Sequence, residues 1–403
     1  MRHVSRVENE PIRPVVYGFA LYFLVAGMDS FRIGNFGSIL KIVAFIPMMF
    51  AFFDLMRLRV RFSTPLLFQI FYWLLAVISI FYTFNTGITQ TWAIRLTLNL
   101  ALVVLLGMGE QYNQRELQFL KKSLSAGGWC TIIMMLIFSD ISVGGRLTLL
   151  LGDYKQDQNY INGYFMYTFS YHSNQLFQNR KKVHIIPVVF IFLIVLLTGS
   201  RGALLAYILV IFAHVCISFT HTKHKFRNIS LVLLLTVALY FSFVLILPQI
   251  GNSVTERFSW EYISEGGTSG RTSIWLFLFQ HLSQDNIPRL MFGHGYGSTS
   301  VINTLTFAVA HNVYLDDLVG LGIIGLIFQI VIQVSIIRIL SKYRQYSLLC
   351  AYFGMIGMSM SLSLVAYKPI WNIMILALAI DFYEKTKDSS SLLSNGVSQE
   401  VTI

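Results

Sequence analysis

The chain has 403 residues, 55% of them hydrophobic and only 12% charged, where a soluble domain carries about 25% charged residues. That balance excludes a soluble enzyme. The formal net charge of +11 does not point to nucleic acid either, because the basic excess sorts by membrane face, as set out below.

Residues from Met1 to Pro14 are polar and lead into an apolar run with no small-residue cleavage site, the pattern of an uncleaved first helix. Hydropathy predicts further spans along nearly the whole chain, at 15–31, 37–56, 66–84, 92–108, 123–139, 161–178, 183–199, 202–219, 230–249, 312–337, 345–365 and 369–383. Each is long enough to cross a hydrocarbon core of roughly 30 Å. The expected fold is all-α: a polytopic integral membrane protein of about twelve transmembrane helices with one large extracytoplasmic loop. The sixth span contains Asn162, His172, Asn174 and Gln175 and is expected to face protein. Residues 1–385 form one transmembrane domain, and the tail 386–403, Ser-rich from Asp388, is expected to be disordered in the cytoplasm. Cys130, Cys216 and Cys350 all lie in apolar runs, so no disulfide framework is implied. No internal repeat is visible.

The connections alternate in charge. Arg57, Arg59 and Arg61 mark one, then Arg115, Lys121 and Lys122, then Arg180, Lys181 and Lys182, then Lys223, Lys225 and Arg227, then Arg338, Lys342 and Arg344. Both termini add to this set through Arg2, Arg6, Arg13, Lys385 and Lys387. The positive-inside rule assigns it to the cytoplasm. The opposite connections are short except at about 140–160 and about 250–311, and the second of these is the expected home of any chemistry.

On that opposite face the seventh and eighth spans meet at Leu197-Thr198-Gly199-Ser200-Arg201-Gly202-Ala203. The glycines permit a tight reversal that holds Arg201 at the rim. Snorkelling to headgroups is the bland alternative, but an outer arginine runs against the positive-inside rule. In the long loop, Gly270-Arg271-Thr272 begins an amphipathic run through Ser283, with Ile274, Trp275, Leu278 and Leu282 on one face. Thr268 or Ser269 is the expected N-cap. Arg271 at a helix start opposes the macrodipole, so the position reads as an anion site. Phe292-Gly293-His294-Gly295-Tyr296-Gly297 resembles a nucleotide loop only superficially and is expected to be a turn that folds the loop back. Ala310-His311-Asn312-Val313-Tyr314 opens the tenth span, and Gly320, Gly322 and Gly325 are expected to admit a closely packed helix.

His311, with Arg201 and Arg271 on the same side, is a candidate catalytic residue. Arg95 and Lys41, each in the outer half of a helix, are candidate substrate ligands. So are Asn159, flanked by Asp157 and Gln158, and Asn312 and Tyr314 beside the histidine. Asp316 and Asp317 are expected to pair with a nearby arginine. No Asp-x-Asp metal motif stands on this face.

Three blocks, Thr198–Ala203, Gly270–Trp275 with Phe292–Gly297, and His311-Asn312 followed by Gly322-x-x-Gly325, resemble the superfamily of bacterial O-antigen ligases and Wzy-type polysaccharide polymerases. The resemblance covers residues 140–340 in detail. It implies a membrane glycosyltransferase of the GT-C type using an undecaprenyl-diphosphate-linked oligosaccharide at the outer face of the bacterial inner membrane, with no cofactor and no metal. Arg201 and Arg271 would hold the diphosphate and His311 would act on the acceptor hydroxyl. A polymerase of capsule, exopolysaccharide or O-antigen units is the leading expectation and a ligase to lipid A core the alternative. A flippase and a chain-length regulator are the implied partners. A transporter would instead show paired broken helices and internal symmetry.

Overall fold

The computed structural model describes residues 11–29, 31, 38–54, 63–108, 112–139, 146–151, 154–221, 270–304, 309–364 and 366–397. Its elements are helical apart from a two-residue ladder, β1 (Leu150–Leu151) against β2 (Tyr154–Lys155). The helices are α1 (Pro14–Leu24), α2 (Ile39–Asp54), α3 (Thr64–Ile78), α4 (Thr86–Leu102), α5 (Gln114–Ile137), α6 (Met166–Phe177), α7 (Ile185–Leu197), α8 (Arg201–His221), α9 (Arg271–Ser283), α10 (Ile287–Phe292), α11 (Val313–Lys342), α12 (Tyr346–Ser359) and α13 (Lys368–Val397). Every predicted span among the described residues is met by a helix. The ninth, 230–249, and the loop 250–269 with Thr268 and Ser269 lie outside them, as do Arg57, Arg59, Arg61, Lys223, Lys225 and Arg227.

Among the described residues, four helical stretches are long and apolar enough to cross a membrane: Thr64–Phe81, Thr86–Gly107, Arg201–Thr220 and Val313–Lys342. Shorter apolar helices accompany them. Phe45, Phe52, Ile94, Leu205 and Phe212 are exposed on the outside of the bundle, a cost in water that only a lipid surround removes. The core beneath is aromatic and aliphatic, with Phe19, Phe23, Phe165, Phe169, Tyr207 and Tyr352 fully buried.

Polar contacts define the two ends. At one, Arg13 grips Glu116 through Nε and Nη2, each 2.9 Å from a carboxylate oxygen. Lys121 donates to Gln345 (3.1 Å), and Lys385 pairs with Asp381 (2.6 Å). This is the basic end predicted from charge. The other end gathers Tyr82, Arg146, Thr198, Phe292 and Asn312.

Two expectations are corrected. The span predicted at 312–337 is not one continuous helix: Gly322 has φ 69° and ψ −167°, so α11 breaks there. Tyr314 Oη reaches Gln333 (3.0 Å) across the break, which a straight helix would hold roughly 28 Å apart at 1.5 Å per residue. The stretch 323–342, about 30 Å long, still suffices to span. The glycines there do admit a neighbouring helix, since Gly322 lies against Met291 and Phe292 at the end of α10. They also admit the Phe292–Gly297 loop, whose His294 and Gly295 N–H groups donate to Val319 and Gly320 carbonyls (both 2.9 Å). A Cβ on Gly322 would stand 2.3 Å from Met291 O, and one on Gly293 2.4 Å from the Gly320 carbonyl. The single break has no matching counterpart among the described residues. Second, α13 runs on to Val397, through most of the segment expected to be disordered. Between Pro369 and Gly396 the sequence holds neither Gly nor Pro, and the Lys385–Asp381 pair supports the helix at i,i+4 spacing.

The break makes a stability prediction. Gly322→Ala should destabilise the protein by about 1–2 kcal/mol for the left-handed backbone and about 1–3 kcal/mol more for overpacking. Gly87→Ala, whose nearest neighbour atom is 3.6 Å from the new Cβ, should be neutral or stabilising. Thermal unfolding of both variants in the same detergent checks this, and equal midpoints would refute the packing account.

Candidate active site

The three residues singled out from the sequence occupy equivalent local positions. Arg201 is the first residue of α8 and Arg271 the first residue of α9. His311 stands two residues before the start of α11. Each follows or occupies a left-handed backbone position, at Gly199 (φ 61°), Gly270 (φ 74°) and His311 itself (φ 53°). A chain that enters a helix from the left-handed region turns sharply, so its first side chain is thrown to the rim of the bundle. First-turn N–H groups have no partner inside the helix and carry partial positive charge.

Local chemistry explains each turn. Ser200 caps α8, accepting from Ala203 N (3.4 Å). Asn312 caps α11, accepting from Tyr314 N (3.0 Å) and Leu315 N (3.1 Å). For α9 the expected cap by Thr268 or Ser269 is not what the structure gives: Gly270 is the N-cap and offers no side chain. The amphipathic reading of α9 holds, with Ile274, Leu278 and Leu282 buried.

A relay of hydrogen bonds ties these helix starts together. Trp275 Nε1 on α9 donates to Ala310 O (2.8 Å), and Ala310 N donates to Asp316 Oδ1 (3.0 Å). Asp316 Oδ2 accepts from Ser363 Oγ, in the connection between α12 and α13. In that connection Met360 O accepts from Asn312 Nδ2 (3.3 Å). Ser361 lies against Gly202, where a Cβ would meet its Oγ at 2.2 Å. The connection therefore touches α8 beside Arg201 and α11 beside His311, while α9 is fastened to Ala310 next to the histidine.

His311 is half-buried, and its Nδ1 is buried without a hydrogen-bond partner among the described residues. Burial holds its imidazole below the ordinary histidine value, the positive charge of Arg271 pushes in the same direction, and Asp157 opposes them. The ring is thus biased toward its neutral, proton-accepting form, and Arg271 and Asp157 lie within electrostatic reach of it.

The remaining predicted residues divide. Asn159 sits half-buried on the short helix Gln158–Ile161, which Asp157 caps through Asn159 N (2.7 Å). Gln158 is committed to Thr148. The Asn312 side chain is engaged in its cap, and the Tyr314 hydroxyl in Gln333, so neither polar group faces outward unengaged. Asp316 and Asp317 are held by hydroxyls and a backbone amide where an arginine was expected: Ser363 and Ala310 for the first, Tyr72 Oη (2.6 Å) for the second. Lys41 and Arg95 are exposed and belong to a second basic group with Lys368, close enough for their charges to act on one another. Asp29 is also within reach of Lys368, whose Nζ donates to Asn99 Oδ1.

Two basic residues of this end escaped the sequence reading. Arg146 Nε donates to Thr198 O (2.8 Å) and packs on Gly199. Lys368 opens α13. Arg146 lies in a connection, and Lys368 at the end of one, on the face opposite the cytoplasmic set, where any cation is unexpected, and that rule alone would have found them.

The apolar spans and their exposed hydrophobic girdle define an integral membrane protein with polar helix starts gathered at one end. Residues 186–330, which include Arg201, Arg271 and His311, match the protein-family model described as O-Antigen ligase. That match is consistent with the resemblance to the O-antigen ligase and Wzy superfamily, whose members are glycosyltransferase-like ligases and polymerases. A comparison with curated proteins gives no match.

The electrostatics of His311 give a pH prediction. If the neutral ring is the working form, kcat/KM falls on the acid side as His311 protonates. Asp157 raises the His311 value, so Asp157→Asn should move the acid limb to lower pH, whatever the height of the plateau. A limb that stays fixed, or moves up, separates His311 from the titration.

Proposed function

We propose that this protein is a polysaccharide polymerase. It joins undecaprenyl-diphosphate-linked oligosaccharide repeat units at the outer face of the bacterial cytoplasmic membrane, for capsule, exopolysaccharide or O-antigen. The observation that carries the reading is the presence of two basic groups at one end of the bundle, Arg201 with Arg271 and Lys41 with Arg95 and Lys368. In a polymerase both substrates are lipid diphosphates, so two anion sites are needed. A ligase needs a diphosphate site for its donor alone.

In this reading Arg201 and Arg271 grip the donor diphosphate. The group leaves as an anion, and positive charge waiting where charge develops lowers the barrier. Guanidinium groups add two-point geometry on phosphate oxygens. The helix starts of α8 and α9 contribute N–H donors and the positive ends of their dipoles. His311 takes the proton from the acceptor hydroxyl as that oxygen attacks the anomeric carbon, and the C–O bond to the diphosphate breaks. Attack opposite the leaving group inverts the anomeric carbon. Asn159 and Asp157 stand where sugar hydroxyls would be presented. Lys41, Arg95 and Lys368 hold the acceptor's diphosphate.

Arg201→Ala or Arg271→Ala should each lower kcat by about 10²–10³, and His311→Ala by about 10²–10⁴. Arg271→Lys should stay impaired, because an ammonium lacks the planar grip. Lys41→Ala with Arg95→Ala should instead raise KM for the acceptor, by about 100-fold or more at about 1.5–3 kcal/mol for each charge-assisted contact. Purified protein with synthetic lipid-linked repeat units provides the measurement, read as a ladder of chain lengths. Arg289→Ala is the control, and equal damage there would mean that the region needs only net positive charge.

Orientation is tested separately. Gln284→Cys should react with a membrane-impermeant thiol reagent added to intact cells, and Lys182→Cys should not. The reverse pattern would turn the whole assignment over.

A further inference from the structure

Away from the arginines, α9 and the Phe292–Gly297 loop bring together three side chains with no part in the chemistry above. His281 lies in the last turn of α9, and Asp285 follows two residues beyond the end of that helix. His294 comes from the docked loop, and its Nε2 lies 2.7 Å from Asp285 Oδ2. The two imidazole rings have centroids 5.1 Å apart. One ligand atom from each of the three residues falls within 4.8 Å of the others.

Two features go beyond a histidine–aspartate hydrogen bond. His294 is 2% exposed, yet its Nδ1 has no hydrogen-bond partner, and His281 Nε2 is also buried without one. Buried imidazole nitrogens are costly to leave unsatisfied. The His294 ring is also held in plane, stacked on Phe84 at 5.3 Å and 19°, so its orientation is set before any ligand arrives.

We propose that His281, Asp285 and His294 form a divalent transition-metal site that staples the end of α9 to the loop docked on the break of α11. Two imidazoles and one carboxylate select zinc or a similar ion over calcium or magnesium, which prefer all-oxygen shells. Ligands about 2.0–2.1 Å from zinc stand about 3.3 Å from one another, so the widest gap closes by at most roughly 1.5 Å. Water completes the tetrahedron. The site lies about 15 Å along α9 from Arg271 at 1.5 Å per residue. Its ion therefore cannot touch a diphosphate held there, and its role is to fix the helix that carries Arg271. Arg289 lies over the same Phe84 ring, at 5.0 Å; its charge opposes a bound cation, and the Asp285 carboxylate offsets it.

The test uses the purified full-length protein in detergent, stripped with a chelator and titrated with zinc by calorimetry, with cobalt as a spectroscopic stand-in. One zinc per chain is expected, with the visible bands of tetrahedral cobalt. His281→Ala, at a half-buried position, should weaken binding by more than about 100-fold, since even groups behind metal ligands contribute about 10–100-fold. Asp285→Asn should weaken it as well. Zinc should raise the unfolding temperature of the wild type and not that of His281→Ala. Absence of binding, or binding that survives both substitutions, overturns the proposal. Survival would move the ion elsewhere, for example to His172 and His184, whose Nδ1 atoms are 2.7 Å apart at the basic end. The readout is metal binding, so the result stands apart from whether the protein polymerises sugars.

Discussion

The break of α11 at Gly322 is the constraint on which this end of the molecule depends. An unwound turn within an apolar span frees backbone N–H and C=O groups that lipid cannot satisfy, at several kcal/mol each. The Phe292–Gly297 loop supplies the missing donors through His294 N and Gly295 N. It can do so because Gly293, Gly295 and Gly297 all adopt positive φ and place backbone, not side chain, against the break. Between the glycines, Tyr296 packs edge-on to Tyr72 and Trp92 and locks the loop among α3 and α4. Loop and break are one hydrogen-bonded unit.

From that unit the placement of the arginines follows. The short limb of α11, 313–321, turns Asp316 toward Ala310 and Ser363. Ala310 in turn fixes α9 through Trp275. The α12–α13 connection that carries Ser363 presses Ser361 onto Gly202. Straightening α11 would pull Asp316 out of this relay and uncouple the start of α9 from the start of α8. The geometry of the candidate site is thus set by a backbone irregularity more than by direct contacts among its charged groups.

Much of this was legible in the sequence. Helix positions follow from the apolar runs, and four of the helical stretches among the described residues are long and apolar enough to cross a membrane. The gathering of Arg201, Arg271 and His311 at one end follows from loop parity. Arg271 opens its helix as expected, and the buried face of α9 is the one its spacing implies. The break was not legible. Gly320, Gly322 and Gly325 suit close helix packing and a chain reversal equally well, and only the partner loop, about 25 residues upstream, distinguishes them. The roles of Asn312 and Tyr314 were hidden for a related reason. A cap and a cross-break hydrogen bond depend on where a helix starts and bends, which hydropathy windows leave soft by a few residues. The helical course of the last segment was missed because composition argued for disorder while local propensity, with no breaker before Gly396, favoured helix.

Arginine at the start of a helix opposes the dipole, at a cost of typically 0.3–1 kcal/mol, and this chain accepts that cost twice, in α8 and α9. The cost is larger where water is excluded, since screening falls with the local dielectric. Fold stability alone would favour an acidic or neutral residue at both positions. An anion bound between them reverses the sign of both terms at once, because it is attracted by the guanidinium groups and by the helix starts together. Burial first, and the charge of Arg271 second, hold the His311 imidazole below its ordinary value, so one of the charges proposed to hold the leaving group also favours the basic form of the ring. Binding the anion weakens the field of that charge and raises the basicity of the imidazole. Under the proposed function, donor binding would therefore make proton acceptance easier and couple the two substrates without any moving part.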